Sequence, residues 1–198
     1  VLGSVIEFAD RVRLGDAPWA EMRRRLAATP RAAYGMTIAH AALGIVVLGA
    51  VATAAWHTEV IATMKTGERV KFAGYLARLE KVEAYEGPNY AAERATIVLT
   101  EDGQPFATLT PERRLFRVQQ RQVAETSIHT NLLRDLYATL GEGDAQHGWV
   151  VRLYDNPLAP WIWLGAALCA LGGFISLSDR RLRVGAPRRK AQQAPAGN

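Results

Sequence analysis

One histidine of this 198-residue chain lies within a long apolar segment, where a polar side chain needs a binding partner. His40 falls within residues 36–56, a run that contains no charged side chain. On a helix His40 would lie roughly 13 Å from Arg31 and roughly 24 Å from Trp56 along the axis. A polar group at that depth of a bilayer must find a partner. A neutral imidazole can do so as a metal or haem ligand, as part of a proton relay, or by a hydrogen bond across a helix interface, and its position leaves all three open.

The other histidines and the single cysteine carry less chemical information. His57 follows the apolar run directly and is interpreted as an interfacial residue, whereas His129 and His147 are interpreted as surface or loop residues. Cys169 is interpreted as a small apolar side chain, and a lone cysteine cannot form a disulfide within the chain. Because the sequence has no Cys/His metal-binding spacing, no phosphate-binding glycine loop and no convincing Ser/His/Asp set, no catalytic residue is assigned.

Two uncharged runs, residues 36–56 and 158–178, would position these side chains. At the rise of an α-helix, each run would extend about 30 Å, the thickness of the hydrocarbon core of a bilayer. Each has tryptophan at one end, as in an interfacial aromatic belt: Trp56, Trp161 and Trp163. Both runs are apolar on every face, which favours membrane-spanning helices over two long buried helices of a soluble protein. In the second run Gly172 and Gly173 predict a closely packed helix face.

The distribution of charge predicts the orientation of these helices. Two basic clusters, MRRRLAATPR and DRRLRVGAPRRK, flank the apolar runs, whereas acids slightly outnumber bases in residues 57–157. By the positive-inside rule the clusters are cytoplasmic and the segment between them is extracytoplasmic. The clusters lack interleaved aromatic residues, so the net charge of +5 indicates topology and contact with membrane lipid headgroups, and no nucleic-acid partner is expected.

The predicted organisation has six segments. They are the end of a preceding transmembrane helix (1–9), a cytoplasmic loop (10–35), a transmembrane helix (36–56), a β-rich domain (57–157), a second transmembrane helix (158–178) and a cytoplasmic basic tail (179–198). For residues 1–9 an amphipathic interfacial segment is the alternative, and the tail has the composition of a disordered segment.

The segment between the two runs is predicted to be an all-β domain of five to seven short strands, built as a small barrel or a sandwich. RATIVLT is rich in β-branched residues, turns are expected at EGPNY and at Asp102–Gly103, and Pro111 is expected to interrupt the strands. YLARLEKVEAY fits either a strand or a helix. NLLRDLYATLGEG is predicted as a short helix that ends at Gly141.

Several stretches together resemble the C-terminal part of CcmF, the haem lyase subunit of bacterial cytochrome c maturation. They are GMTIAHAALG, MKTGERVKFAGY, EGPNY, RDLYATLGE and, most specifically, VRLYDNPLAPWIWLGAALCALGGFISLSDRRLRVGAPRR. The resemblance extends over nearly the whole chain and includes the order of these stretches. It implies a multi-pass protein of the bacterial inner membrane whose residues 57–157 are periplasmic.

The resemblance also implies a function, a cofactor and partners. A protein of this family takes haem from the periplasmic haem chaperone CcmE and joins its vinyl groups to the CXXCH thiols of apocytochrome c. CcmH and CcmI-type subunits of the lyase complex are the further partners implied. A b-type haem in the membrane is proposed to reduce the substrate haem, and His40, in GMTIAH, matches one of its two axial ligands.

The chain departs from the family pattern in what it lacks. It contains no WWD segment, no counterpart of the two periplasmic histidines that hold the substrate haem, and only one of the two ligands of haem b. This chain alone is therefore not expected to be catalytically competent. A non-catalytic membrane scaffold with a partner-binding periplasmic β domain is the alternative. A transporter or channel subunit is disfavoured because neither full run carries a charge.

Overall fold

The structure, a computed structural model, describes residues 18–179 together with Gly3, Ile6, Ala9 and Asp10. Most of the segment predicted as the end of an earlier helix (1–9) lies outside the described residues, as does the predicted basic tail apart from Asp179. The chain divides into two compact units, which are described separately. One comprises the residues up to Gly44 and from Gly165 onward, and the other extends from Ile45 to Leu164.

Helices account for the segments on either side of the β-rich region. The described helices are α1 (Trp19–Ala28), α2 (Arg31–Trp56) and α3 (Ala159–Leu177). The first lies within the predicted loop 10–35, α2 includes the apolar run 36–56, and α3 lies within the run 158–178. By length and composition, α2 and α3 are each able to cross a membrane.

In the first unit, α2 and α3 pack through small residues. Gly172 is buried, and a Cβ atom placed on it would lie 2.7 Å from both the amide nitrogen of Ala39 and the carbonyl oxygen of Gly35. The Cys169 thiol donates a hydrogen bond to the Ala39 carbonyl oxygen at 3.3 Å, so it contributes more than apolar volume. The close packing predicted from glycine occurs at Gly172 but not at Gly173, whose Cβ position is open.

The second unit contains ten antiparallel strands, more than the five to seven expected. They are β1 (Thr58–Met64), β2 (Arg69–Phe72), β3 (Tyr75–Glu86), β4 (Tyr90–Glu101), β5 (Gln104–Leu109), β6 (Glu112–Phe116), β7 (Arg121–Glu125), β8 (Ser127–Thr130), β9 (Arg134–Asp144) and β10 (Gly148–Pro157). The first sheet has the order β1-β10-β9-β8; the second has the order β2-β3-β4-β6-β7, with β5 on β4. The two sheets form a sandwich around one apolar core.

The core follows from the alternation of side chains along the strands. In β4 the buried positions are Ala95, Ile97 and Leu99, and in β9 they are Leu136, Ala138 and Leu140. Met64, Phe72, Leu79, Leu109, Val151 and Leu153 complete the most deeply buried group from the other strands. The prediction of an all-β domain is therefore confirmed, and of the two architectures expected the domain has the sandwich.

Local chemistry explains the turns. Asp102 and Gly103 both have positive φ, 48° and 79°, which is the conformation that a two-residue β-hairpin turn requires, and they join β4 to β5 as predicted. Pro111 lies between β5 and β6, where it interrupts the strands as expected.

The prediction of a helix ending at Gly141 is wrong, because residues 134–144 form strand β9. β9 is an inner strand that pairs with β10 on one side and β8 on the other. Two ladders of hydrogen bonds and the burial of alternate side chains outweigh the moderate helix propensity of its leucines and alanine.

Candidate functional site

His40 lies on the outside of α2, in the first unit. Its side chain is exposed, as are those of Met36 and Leu43, which are one helical turn away on the same face. The residue before it, Ala39, instead contacts α3 through Gly172 and Cys169. The packing of the two helices therefore leaves the imidazole on a separate, apolar and accessible face.

One hydrogen bond sets the chemical form of this imidazole. Its Nδ1 lies 2.8 Å from the backbone carbonyl oxygen of Met36, one turn back on the same helix. A carbonyl oxygen can only accept, so Nδ1 carries the proton and donates it, and Nε2 carries the free lone pair. A hydrogen bond of this type fixes the orientation of the ring of a histidine ligand. One of the three alternatives from the sequence was a hydrogen bond across the helix interface. In the structure, the partner of Nδ1 lies on the same helix instead.

These features fit one axial position of a haem. A ligating imidazole needs a free nitrogen, a fixed ring and an apolar space into which a flat macrocycle can enter, and His40 has the first two with exposed apolar neighbours. Within residues 18–179 no group of three or more His, Cys, Asp or Glu side chains is placed to hold a metal ion.

The remaining histidines are in the second unit and have other surroundings. His57 is exposed immediately after the last residue of α2. His129, on β8, makes an edge-to-face contact with Phe106 at 5.3 Å between ring centroids. His147 lies in the β9–β10 turn, where its Nδ1 is 2.9 Å from Oδ2 of Asp144. None of these three histidines has the surroundings of a metal ligand.

The Asp144–His147 pair has electrostatic consequences that geometry explains. The hydrogen bond from the His147 ring, together with those from the backbone N–H groups of His147 and Gln146, lowers the pKa of Asp144 to about 2. The same side-chain hydrogen bond and the negative charge of Asp144 raise the pKa of His147. This pair stabilises the turn between β9 and β10.

Sequence reasoning missed a buried ion cluster on the second sheet. Glu112 is only 5% exposed, and its two carboxylate oxygens accept hydrogen bonds from Arg94 at 2.6 Å and from Arg114 at 2.7 Å. Burial alone would raise the pKa of Glu112, but the hydrogen bonds and charges of the two guanidinium groups lower it. The guanidinium carbon of Arg94 also lies 3.5 Å from the ring centroid of Tyr85, and Arg114 is stacked over Tyr90.

A second buried carboxylate was missed near the start of α3. Asp155, 4% exposed, accepts a hydrogen bond from Nη1 of Arg134 at 3.0 Å. Burial raises the pKa of Asp155 even though the charge of Arg134 opposes the shift. The strand alternation of β10, in which every second residue faces the core, was the signal that could have identified this position.

The chain was compared with known proteins. The C-terminal β-sandwich of CcmF matches residues 55–157. The cytochrome c-type biogenesis protein CycK of Bradyrhizobium diazoefficiens is 38% identical over 188 residues, which are 95% of this chain and 28% of that protein. Its counterpart ccl1 of Rhodobacter capsulatus is 41% identical over 172 residues, 87% of this chain and 26% of that protein.

A third relative and a solved structure agree. CcmF of Pseudomonas aeruginosa is 36% identical over 154 residues, 78% of this chain and 23% of that protein. The solved structure of the cytochrome c haem lyase CcmF has a TM-score of 0.66 and 20% identity, covering 89% of this chain and 28% of that one, and it therefore supports the fold. The chain spans about a quarter of the length of the curated relatives it matches.

Proposed function

This chain belongs to the CcmF family, and on that premise we propose that it is the C-terminal part of a cytochrome c haem lyase subunit in the bacterial inner membrane. In this proposal His40 would hold the iron of a b-type haem. The observation that carries it is the exposed imidazole with Nδ1 held by the Met36 carbonyl and Nε2 free.

The proposed placement in the membrane uses α2 and α3 as spanning helices. Their lengths and composition suit a bilayer, and the basic clusters beyond them are assigned to the cytoplasm. The β-sandwich between them is then periplasmic, the side on which apocytochrome c must receive its haem. Met36 and Leu43, exposed on the same face of the helix, would give a haem held by His40 apolar surroundings.

The residues of this chain contribute to the reaction by positioning. When bound, the b-type haem would supply electrons that keep the iron of the substrate haem reduced. His40 Nε2 would hold the haem iron, and the Met36 carbonyl would fix the ring orientation and strengthen the ligand. The close contact of Gly172 with Gly35 and Ala39 would hold that stretch of α2 in place against α3.

The β-sandwich is proposed as the surface that receives periplasmic partners. These are the haem chaperone CcmE, apocytochrome c and the CcmH and CcmI-type subunits. Support for this role comes from its rigid two-sheet core and from its assignment to the periplasm between two membrane helices.

A maturation assay tests the proposal. In a bacterium that lacks its own CcmF, the whole subunit containing this chain is expressed with His40→Ala or with the control His57→Ala, and haem-stained c-type cytochromes are measured. We expect a large loss of holocytochrome c with His40→Ala and near-normal levels with His57→Ala. Normal maturation with His40→Ala would remove His40 from the mechanism.

A further inference from the structure

The turn between β8 and β9 presents two large apolar side chains to the outside. Leu132 is 79% exposed and Leu133 is 61% exposed, although both belong to a short, well-defined turn. The side-chain oxygen of Asn131 accepts hydrogen bonds from the backbone N–H groups of Leu133 at 2.8 Å and of Arg134 at 2.9 Å. This arrangement fixes the turn, so the exposure of the leucines is a property of its conformation.

The turn is bound to the beginning of α3 by two further hydrogen bonds. The backbone N–H of Leu158 donates to the Leu133 carbonyl oxygen at 2.7 Å. The indole N–H of Trp161 donates to the Leu132 carbonyl oxygen at 2.8 Å. Both leucines are therefore held beside the first turn of α3, where its apolar run begins.

The end of α2 is attached at the same place. The Thr53 hydroxyl donates to the carbonyl oxygen of Pro157 at 3.0 Å. A Cβ atom on Gly49 would lie 3.0 Å from the carbonyl oxygen of Leu158 and from Ile162, so the helices approach closely here. The two helix ends and the apolar turn are thus held next to one another within the second unit.

Charge does not oppose burial of this turn. The nearest charged residue along the chain, Arg134, is directed to the buried Asp155 at 3.0 Å. Transfer of an exposed leucine side chain out of water is favourable. Trp161 and the 76% exposed Trp163 are the residue type that accumulates at the boundary between lipid and water.

We propose that Leu132 and Leu133 insert into the periplasmic leaflet of the bilayer, so that the β-sandwich is anchored to the membrane surface by this turn as well as by its two helices. The lipid is assigned as the occupant because the turn is hydrogen-bonded to the helix whose apolar run enters the membrane. This inference rests on the proposed function, which places α3 in the bilayer.

Fluorescence of single labelled cysteines in lipid nanodiscs tests this inference. In the whole subunit with its other cysteines replaced, Cys169→Ala is combined in turn with Leu132→Cys, with Leu164→Cys on α3, or with Val118→Cys, and each variant is labelled with an environment-sensitive fluorophore. Val118 is the matched control, because it is an apolar side chain that is 93% exposed in a different turn, the one between β6 and β7. That turn follows Phe116, which pairs with Tyr90 of β4. Quenchers are then supplied either on the lipid acyl chains or as iodide in water.

The label at position 132 is expected to emit at shorter wavelength than the label at 118 and to be quenched several-fold more by the lipid-borne quencher. If 132 behaves as 118 does while 164 is quenched by lipid, the inference is wrong and the membrane placement of α3 stands. If 164 also escapes the lipid quencher, the proposed membrane placement itself fails. Protection of 132 from iodide without quenching by lipid would show that protein covers the turn and would overturn the lipid assignment.

Discussion

Gly172 of α3 lies against Gly35 of α2 so closely that a Cβ atom on Gly172 would be 2.7 Å from the Gly35 carbonyl oxygen. Neither backbone can move away without separating the helices, so we expect Gly172→Val to lower stability by about 1–3 kcal/mol through overpacking. The measurement is the melting temperature of the chain in detergent, together with the haem content of the whole subunit.

Gly173→Val is the control for this prediction. It introduces the same side chain at the adjacent helical position, where no atom lies within 4 Å of the added Cβ. We therefore expect little change in melting temperature or haem content. Equal losses in the two variants would show that helix propensity or lipid contact, and not the packing of α2 on α3, determines the result.

The buried Glu112 is expected to be a major electrostatic contributor to the β-sandwich. Glu112→Gln leaves Arg94 and Arg114 without their shared carboxylate, and the two arginine side chains are 30% and 25% exposed. Breaking a fully buried pair costs about 3–5 kcal/mol, and partial exposure reduces this to about 2 kcal/mol here. Urea unfolding of the chain in detergent, followed by the fluorescence of the buried Trp149, measures the change.

Glu93→Gln provides the matched comparison, since the Glu93–Arg113 pair at 2.7 Å joins the same two strands but its carboxylate is more exposed. Its loss should cost less than about 1 kcal/mol. An equal loss of unfolding free energy for the two substitutions would show that burial of the carboxylate does not determine the size of the loss.

Because of the Glu112 carboxylate, we expect the stability of the β-sandwich to depend on pH. The pKa of Glu112 is lower in the folded protein than in the unfolded chain, so its stabilising contribution is fully present above the unfolded value and is lost as the pH falls through the folded value. Wild-type protein should therefore lose more stability between neutral and acidic pH than Glu112→Gln does. Parallel pH profiles for the two proteins would refute the lowered pKa.

Asp144 and His147, in the turn between β9 and β10, should titrate as a coupled pair. Asp144 raises the pKa of His147, so stabilisation by the charged imidazole is present below the unfolded pKa of histidine and is lost as the pH rises through the folded one. NMR titration of the His147 ring should give a pKa above that of a free histidine, and Asp144→Asn should return it toward the ordinary value. An unchanged pKa in the variant would show that the contact is not formed in solution.

Composition rich in β-branched and aromatic residues, together with turn chemistry, was sufficient to predict that this segment is a β domain. Asp102–Gly103 and Pro111 are local signals that tertiary context did not override. Strand β9 was missed because leucine and alanine are compatible with a helix, and only its pairing with two neighbouring strands decides the conformation. The alternation of Leu136, Ala138 and Leu140 was the available signal.

For the candidate site, sequence and structure contribute different information. The position of His40 within an apolar run was visible in the sequence, and the resemblance to the CcmF family singled out that residue as a predicted haem ligand. The tautomer set by the Met36 carbonyl depends on the helical geometry and the side-chain rotamer, so the structure was needed for it. Arg134 and the buried Asp155 lie on different strands, and residues that are apart in sequence cannot be paired without the fold.

The ligation of haem iron by His40 is the central claim, and the visible absorption spectrum of the purified whole subunit tests it most directly. Spectra are recorded for the wild type, His40→Ala, His40→Gly with added imidazole, and the control His57→Ala. The account predicts a Soret band in the wild type and in His57→Ala, its loss or a large shift in His40→Ala, and partial recovery in His40→Gly when imidazole is supplied. A Soret band of unchanged position and intensity in His40→Ala would contradict the account.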